Sequence, residues 1–494
     1  MTAPNKNFFC KRSKHRLGLL TIAAAMVLGC SPPPHMSVQV RMLKAQENYF
    51  RQSIIADFNK TNHTDITVVP YNSTDSIDYY IQNSGGQCGL IKIPFDKRID
   101  VIDQGILLPL ESIVPAEEIT AFRNTYLLTS LGRSDNKQYL VPRKFETRIM
   151  VYCKSKVASA VAQWRSFKTA IDEALKPVNG YGLPATYILE SDPNTWDYYD
   201  LFVVGYIWAH TSYEGRIPEA KIANRGRKYS GTSLGVIDRI FSCNGDSAAV
   251  LNMTGAPVVD ALEWEAVYAA GGIYNKHMWQ DGWAGAEIWQ GFAEETVFLS
   301  FMTQLDCFFI HGTGQDSLDG FLKNPDDFGV ATMPTGGSVE LDRYGAVART
   351  GSKAITTGGW WWGIPKNTPY PKLSYQLVRA ITSTAVQIQE SSRFGMIPVR
   401  KDILGDMSMM FGGSWITTVY ETSFKQLMAN RQTTIPGNRH FSKIAQLYLD
   451  AWYDIVVNRH WSENSEVPDR VFIERRIATL YAPQAALILG TSQR

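Results

Sequence analysis

Three short apolar runs near the start of the chain decide its fold: residues 38–42 (VQVRM), 66–69 (ITVV) and 89–93 (GLIKI). Their length and their β-branched residues predict three strands. Helical patterns separate these strands, over 47–60 and 75–82, and a third helical pattern follows over 96–104. This alternation predicts an α/β fold with mixed, mostly parallel sheets and helices on both faces. Ligands of such sheets bind at the carboxyl ends of the strands.

The composition is typical of a large folded protein. Of the 494 residues, 45% are hydrophobic and 19% are charged, which excludes a disordered or collagen-like chain. The length allows two domains. Residues with a helical spacing of apolar side chains also occur over 164–175, 258–270, 375–392 and 441–457. We interpret these stripes as helix faces that pack in the core and assign them no function.

The first 29 residues are typical of an export signal. They contain five basic residues and no Asp or Glu, and an apolar run over 17–28 follows the basic part. A basic start, a short apolar segment and a small residue at its end indicate a secretory signal peptide. The apolar run is too short to span a bilayer comfortably. A short N-terminal anchor or a buried helix is the alternative.

A cysteine, Cys30, directly follows this signal. The segment Val27-Leu28-Gly29-Cys30 resembles the bacterial lipobox, in which such a cysteine is acylated and becomes the new N-terminus. We therefore predict a lipoprotein signal peptide over 1–29 and a proline-rich tether over 30–35. Removal of the signal leaves 465 residues, and loss of its five positive charges turns the formal net charge from +2 to −3. That charge, without any basic run, disfavours nucleic-acid binding.

With Cys30 acylated, four other cysteines remain in the exported chain: Cys88, Cys153, Cys243 and Cys307. An even number in an exported protein allows two disulfides, in three pairings, and four buried free thiols are the alternative. The sequence contains no CxxC motif and no Cys/His cluster, so neither a zinc site nor a cofactor is predicted.

Several short motifs occur in a fixed order between about residues 36 and 405. They are Phe58-Asn59-Lys60, Gly105-Ile106-Leu107-Leu108-Pro109-Leu110, Tyr139-Leu140-Val141-Pro142, Phe328-Gly329-Val330-Ala331-Thr332-Met333-Pro334, Gly363-Ile364-Pro365-Lys366-Asn367 and Gly395-Met396-Ile397-Pro398-Val399-Arg400. In this order they resemble the extracellular solute-binding proteins of ABC importers, the family that includes the maltose- and oligosaccharide-binding proteins.

The resemblance implies two α/β lobes of the periplasmic-binding-protein type, joined by hinge strands and closing on a solute. The first lobe would comprise 36–144 and 355–404, and the second 145–354 and 405–494. Gly358-Gly359 would suit a hinge crossing, because glycine absorbs backbone rotation, and a plain tight turn is the alternative. The resemblance further implies a monomeric receptor, lipid-anchored to the cell envelope and facing the periplasm or the exterior, that delivers its solute to an ABC permease.

Polar candidates for ligand binding follow two of the predicted strands. Gln46 and Glu47 follow the first strand, and Asp96 and Lys97 follow the third. In the sugar-binding relatives an acidic–basic pair after the third strand contacts ligand hydroxyls, so the resemblance implies that role for Asp96 and Lys97. The alternative for Asp96 is a capping residue that favours the dipole of its own helix.

Tryptophan is abundant, with 13 residues, and aromatic rings stack on the apolar faces of sugars. Trp196 and Tyr198 lie in a polar and aromatic segment that resembles the stacking segment in the second lobe of the relatives. The other aromatic candidates are Trp279, Trp283, Trp360 and Trp362. Packing in the core is the alternative for each of them.

One enzyme motif occurs, because Gly231-Thr232-Ser233-Leu234-Gly235 fits G-x-S-x-G. A nucleophile elbow needs an apolar strand before it, and residues 224–229 are basic and polar, so we predict no catalysis by Ser233. The chain is interpreted as a receptor for a sugar or oligosaccharide. The alternatives are a secreted carbohydrate-active hydrolase, whose carboxylate pair only the fold could assemble, and a receptor-like sensor for a polyamine, an organic acid or ferric ion.

Overall fold

A computed structural model describes residues 32–73, 77–312, 320, 322–430 and 435–490. The predicted signal peptide and the predicted acylation site at Cys30 lie outside these residues. Within them, no helix combines the length and the apolar character needed to cross a membrane.

The first sheet has five strands in the order β2-β1-β3-β10-β6. They are β1 His35–Val40, β2 Asp65–Pro70, β3 Cys88–Pro94, β6 Leu140–Glu146 and β10 Gly358–Gly363. Strands β2, β1 and β3 are parallel, as the opening runs predict. Strand β10 arrives from a distant part of the chain and pairs antiparallel with both β3 and β6.

The second sheet has three strands in the order β8-β7-β9, and both of its pairings are antiparallel. Its strands are β7 Ile149–Cys153, β8 Leu299–Met302 and β9 Phe328–Ala331. A small antiparallel hairpin is formed by β4 Arg133–Ser134 and β5 Lys137–Gln138. The expectation of mostly parallel sheets is therefore wrong. Only the opening β-α-β-α-β segment is parallel, because strands that arrive from distant parts of the chain need no βαβ crossover.

Helices surround the two sheets. In the first half of the chain they are Lys44–Tyr49, Ala56–Asn62, Ile77–Gln82, Arg98–Asp103, Ala116–Thr125, Lys154–Asn179, Tyr198–Ala209 and Ser230–Ser242. The middle of the chain adds Ser247–Asn252, Ala256–Ala270, His277–Gln280, Ala286–Ala293 and Gln304–His311. The last part adds Pro371–Ile381, Thr384–Phe394, Lys401–Leu404, Met407–Phe411, Trp415–Ala429, Phe441–Trp452, Arg470–Arg476 and Ala482–Gly490.

Two predicted elements differ in detail. The helix expected over 375–392 is two helices, because Ser383 adopts an extended conformation (φ −67°, ψ 159°) and starts the second. The hydroxyl of Thr382 donates to the carbonyl of Val378 at 2.6 Å, which closes the first helix. The helix expected over 47–60 is longer, because a π-helical turn, Phe50–Ile55, joins two α-helical pieces into one run.

Cys88, Cys153, Cys243 and Cys307 are all buried free thiols, so the alternative of four free thiols is the one that the structure shows. Burial raises the pKa of the Cys88 and Cys153 thiols to about 12, which keeps both protonated and unreactive at neutral pH.

The chain passes between the sheets beside two glycines. Strand β6 ends at Glu146 and β7 starts at Ile149, while β10 returns to the first sheet at Gly358. Gly359 has φ +142°, and a Cβ there would lie 2.3 Å from the carbonyl oxygen of Lys144. This close approach of two backbones requires glycine at the crossing.

Candidate functional site

A cleft of about 310 Å³ lies where β3 and β6 end and β10 begins, at the crossing between the two sheets. Three groups of residues line it: Arg41, Pro94, Phe95, Asp96 and Trp360 from the first sheet and its loops, Glu146, Thr147, Arg148, Thr356, Gly358 and Gly359 from the crossing segments, and Ser230, Ser233, Leu234, Thr303, Ile435, Phe441, Ser442, Ala445 and Gln446 from the helical side. Both bodies of the molecule therefore contribute to one cavity.

Trp360 provides the aromatic platform of the cleft. Its register on β10 makes it a diagonal neighbour of Lys92 on β3, and the Lys92 ammonium lies 4.0 Å from the centroid of the indole ring. Lys92 also donates to the carbonyl of Arg41 at 2.5 Å. Burial, reinforced by Arg143 and Lys144, holds the pKa of Lys92 well below its usual value. Lys92 thus connects two residues that line the cleft.

Two carboxylates lie at the same cavity. Asp96 is exposed in the short 3-10 turn that follows β3. Glu146 ends β6 and forms an ion pair with Lys144 at 2.5 Å. Burial by itself would raise the pKa of Glu146, but the Lys144 ammonium outweighs it and the pKa is lowered. Glu146 is therefore an ionised acceptor at neutral pH.

The opposite wall is built around the helix Ser230–Ser242. Asp238 on this helix accepts hydrogen bonds from the backbone N–H of Thr356 at 2.9 Å and from the Arg148 guanidinium, and so fixes both crossing segments against the helix. Ser233 lies in the first turn of the helix, where its hydroxyl donates to the carbonyl of Ser230 at 3.0 Å. The G-x-S-x-G segment is thus helical and has no strand-to-helix elbow.

Two of the predicted contacts, Asp96 and Trp360, line the cleft. Lys97 follows Asp96 but is not a lining residue. Gln46 and Glu47 are buried away from the cavity. Gln46 donates to the sulfur of Met396, and Glu47 pairs with Arg51 at 2.8 Å and with Lys44 at 3.5 Å.

The remaining aromatic candidates contact protein groups. Trp196 is fully buried and donates to the carbonyl of Glu190, and the hydroxyl of the buried Tyr198 pairs with that of Ser242. Trp362 is buried and stacks on Phe50. The half-buried pair Trp279 and Trp283 contacts Trp452 and His277, respectively.

Several lining residues were missed from the sequence, chiefly Arg41, Glu146, Arg148, Ser230 and Gln446. Arg41 follows directly after β1, so a search of all strand ends would have found it. The others lie at a crossing or on distant helices and carry no local signal. Within the described part of the chain, no group of three His, Cys, Asp or Glu side chains is placed to hold a metal ion.

A family model described as bacterial extracellular solute-binding protein matches residues 53–408. The chain belongs to that family. The match confirms the resemblance seen in the sequence motifs. No curated protein matches the sequence.

Solved structures confirm the two-lobe fold. MalE3 of T. maritima with bound maltose superposes with a TM-score of 0.62 at 14% identity, over 90% of this chain and 99% of that one. The GacH receptor of Streptomyces glaucescens, solved without ligand and with acarbose, has a TM-score of 0.62 at 13% identity. The match covers 93% of this chain and 99% of that one. UgpB of Mycobacterium tuberculosis with glycerophosphocholine has a TM-score of 0.62 at 13% identity. The match covers 94% of this chain and 100% of that one.

Proposed function

We propose that the protein is the receptor of an ABC importer, and that it binds a carbohydrate between its lobes and delivers it to the permease. The observation that carries the proposal is the aromatic platform Trp360, placed in one cleft with Asp96, Glu146 and Arg41. A sugar has apolar C–H faces that suit an indole ring, and its rim of hydroxyls suits carboxylates and guanidinium groups. The maltose and acarbose bound to structural neighbours support this choice.

The size of the cleft favours a small carbohydrate. A volume of about 310 Å³ lies at the lower end of ordinary ligand pockets. Among the described residues that line the cleft, Trp360 is the only Trp or Tyr, so one sugar ring can stack on an indole. We therefore propose a mono- or disaccharide, with Asp96, Glu146, Arg41 and Arg148 as partners of its hydroxyls. Roles in binding for the other candidates stay predictions.

Transport requires a change of shape that the solute controls. A sugar that contacts both lobes stabilises the closed form by its difference in affinity for the two forms, and the closed form docks on the permease. Acylation of Cys30 would keep the monomeric receptor at the membrane beside its permease. Retention of the chain in the membrane fraction, and its loss after Cys30→Ser, would test the anchor.

We propose binding without turnover. A hydrolase would need one carboxyl group in the cleft with a raised pKa to act as a general acid, and Glu146 does not suit that role because its pKa is lowered. Incubation of the protein with oligosaccharides, followed by chromatography, tests this point. Release of smaller sugars in proportion to time would establish a hydrolase instead.

A thermal-shift panel tests the ligand class. The purified protein is heated with mono- and disaccharides, polyamines, organic acids and ferric ion in separate wells. A ligand at about 100 times its Kd adds about 2.7 kcal/mol to the free energy of unfolding, which gives a clear shift of the midpoint. Stabilisation by a sugar supports the proposal, and stabilisation by one of the other classes alone contradicts it.

A further inference from the structure

Arg148 presents hydrogen-bond donors to the cleft that no protein group uses. It lies between β6 and β7, and its side chain is 12% exposed. One nitrogen, Nη1, donates to Asp238. The Nε and Nη2 nitrogens make no hydrogen bond to a described residue, and neither is enclosed by protein atoms. They are therefore accessible from the cavities that Arg148 lines, of which the cleft is the larger.

Asp238 holds this guanidinium in place without lining the cleft itself. It is 2% exposed on the helix Ser230–Ser242, and the oxygen that does not pair with Arg148 accepts from the backbone N–H of Thr356 at 2.9 Å. The Thr356 hydroxyl donates to the same oxygen at 2.5 Å. Because both oxygens are engaged, the carboxylate fixes the direction in which Arg148 presents its remaining donors.

The formal charges that line the cleft cancel. Two guanidinium groups and two carboxylates line it: Arg41, Arg148, Asp96 and Glu146. Behind them, Lys144 pairs with Glu146 and Asp238 pairs with Arg148, so the charges of these two partners also cancel. The Lys92 ammonium contacts Trp360, but burial holds the pKa of Lys92 well below its usual value and limits the positive charge that it adds. An anion that enters the cleft would lose its hydration and gain no excess of opposite charge in return.

The helix Ser230–Ser242 would by itself favour an anion. Its first turn faces the cleft through Ser230 and Ser233, and the N-terminus of a helix carries a partial positive charge. The Arg148 guanidinium adds a full positive charge at the same wall. Asp238 lies about two turns along this helix and supplies the carboxylate that opposes both. Without that carboxylate the wall would be cationic and would attract acidic solutes.

We propose that Asp238 determines the charge class of the solute. Its pairing with Arg148 lets the guanidinium donate to sugar hydroxyls without a net positive charge, so the receptor selects uncharged sugars over the corresponding uronic acids. Asp238 acts through Arg148 and is a positioning residue. This inference rests on the proposed function, because it specifies the class of carbohydrate that the same cleft binds.

Isothermal titration at neutral pH with matched pairs tests the preference of the wild type. The pairs are glucose with glucuronate, galactose with galacturonate, and mannose with mannuronate. In each pair that binds, we expect the uncharged sugar to bind at least about tenfold more tightly than its acid. A smaller preference would overturn the inference and leave the proposed function standing. If no member of the pairs bound, the inference would fall, and if no sugar of the thermal-shift panel bound either, the proposed function would fall with it.

The variant Asp238→Asn removes the carboxylate and keeps the shape of the side chain. Its amide oxygen can still accept from Thr356, but the charge of Arg148 is no longer offset. We expect the preference for the uncharged sugar to fall about tenfold, whereas a purely structural role of Asp238 would weaken both members of a pair alike. A preference that Asp238→Asn leaves unchanged would overturn the inference.

The matched control is Asp260→Asn. Asp260 is as deeply buried as Asp238, lies on the helix Ala256–Ala270, and pairs with Arg349 and Arg470. It is not a lining residue of the cleft. Its replacement should therefore leave the ratio of the two affinities unchanged.

Replacement of the guanidinium gives the opposite change. Arg148→Gln leaves the charge of Asp238 without a partner and should increase the preference for the uncharged sugar. The double variant Arg148→Gln/Asp238→Asn is neutral again, and its preference should lie within about threefold of the wild type. If Asp238→Asn does not fold, Arg148→Gln decides, because Asp238 keeps both of its hydrogen bonds from Thr356 in that variant. A preference in Arg148→Gln no greater than that of the wild type would then overturn the inference.

Discussion

Replacement of Trp360 separates ligand binding from folding within one run of three tryptophans. Trp360 lies half-buried in the cleft, whereas Trp361 is fully buried against Phe95 and Phe145. A tryptophan buries up to roughly 200 Å², and a sugar covering one face of the ring removes about 80 Å² of it from water. At about 25 cal/mol per Å² this is worth about 2 kcal/mol, so Trp360→Ala should weaken sugar binding roughly 30-fold.

Isothermal titration against the best sugar of the panel measures this effect, and urea denaturation of the same variant measures stability. We expect the free energy of unfolding to fall by about 1–2 kcal/mol, because the fold buries only part of the Trp360 ring. Trp361→Ala is the matched comparison and should cost about 3–5 kcal/mol of stability. An affinity of Trp360→Ala within threefold of the wild type would refute the assignment of Trp360 as the platform.

Three further changes test the surroundings of the site. Lys92→Met should raise the urea midpoint, because it removes a buried ammonium that has no carboxylate within ion-pair distance among the described residues. The same change should weaken sugar binding a few-fold, because the contact of the ammonium with Trp360 is lost. Gly359→Ala should lower the thermal midpoint far more than Gly358→Ala, since a Cβ at Gly359 meets a carbonyl at 2.3 Å and one at Gly358 meets atoms only at 3.9 Å. Burial and the neighbouring Asp197 raise the pKa of Asp200 to about 7, so the folded state binds more protons than the unfolded state between about pH 4 and 7. Stability should therefore fall as pH rises through this window, and thermal scans of Asp200→Asn should show a flatter decline.

The opening of the fold could be predicted because local pattern and final structure agree there. The β-branched run 66–69 lies within β2, and the spacing of Phe50, Ile54 and Phe58 gives a helix whose apolar stripe is buried. The second sheet could not be predicted in the same way, because β7 ends at Cys153, whereas its antiparallel partners β8 and β9 start only at Leu299 and Phe328. The direction of such a pairing leaves no mark on the periodicity of either strand.

The residues of the cleft also fall into those that the local sequence could predict and those that it could not. Asp96 was predictable because it directly follows a parallel strand, and ligands of such sheets bind at the carboxyl ends of the strands. Glu146 and Arg148 lie where the chain crosses between the sheets, and Gln446 lies on a helix near the end of the chain. Trp196 shows the opposite difficulty: polar neighbours surround it in sequence, yet its indole is buried and donates to Glu190. A mix of polar and aromatic residues does not reveal which way a ring points.

The position of the platform explains how one cleft can both hold a solute and respond to it. Trp360 follows Gly359 on β10, a strand paired on both sides within the first sheet, so its backbone is fixed to that sheet. The facing wall belongs to the helix Ser230–Ser242, which Asp238 ties to Thr356 and Arg148 on the other side of the crossing. Under the proposed function, a rotation of one sheet relative to the other would bring this helix onto a sugar already stacked on the ring. Stacking would provide affinity in the open form, and the contacts of the helix, made only on closure, would stabilise the closed form.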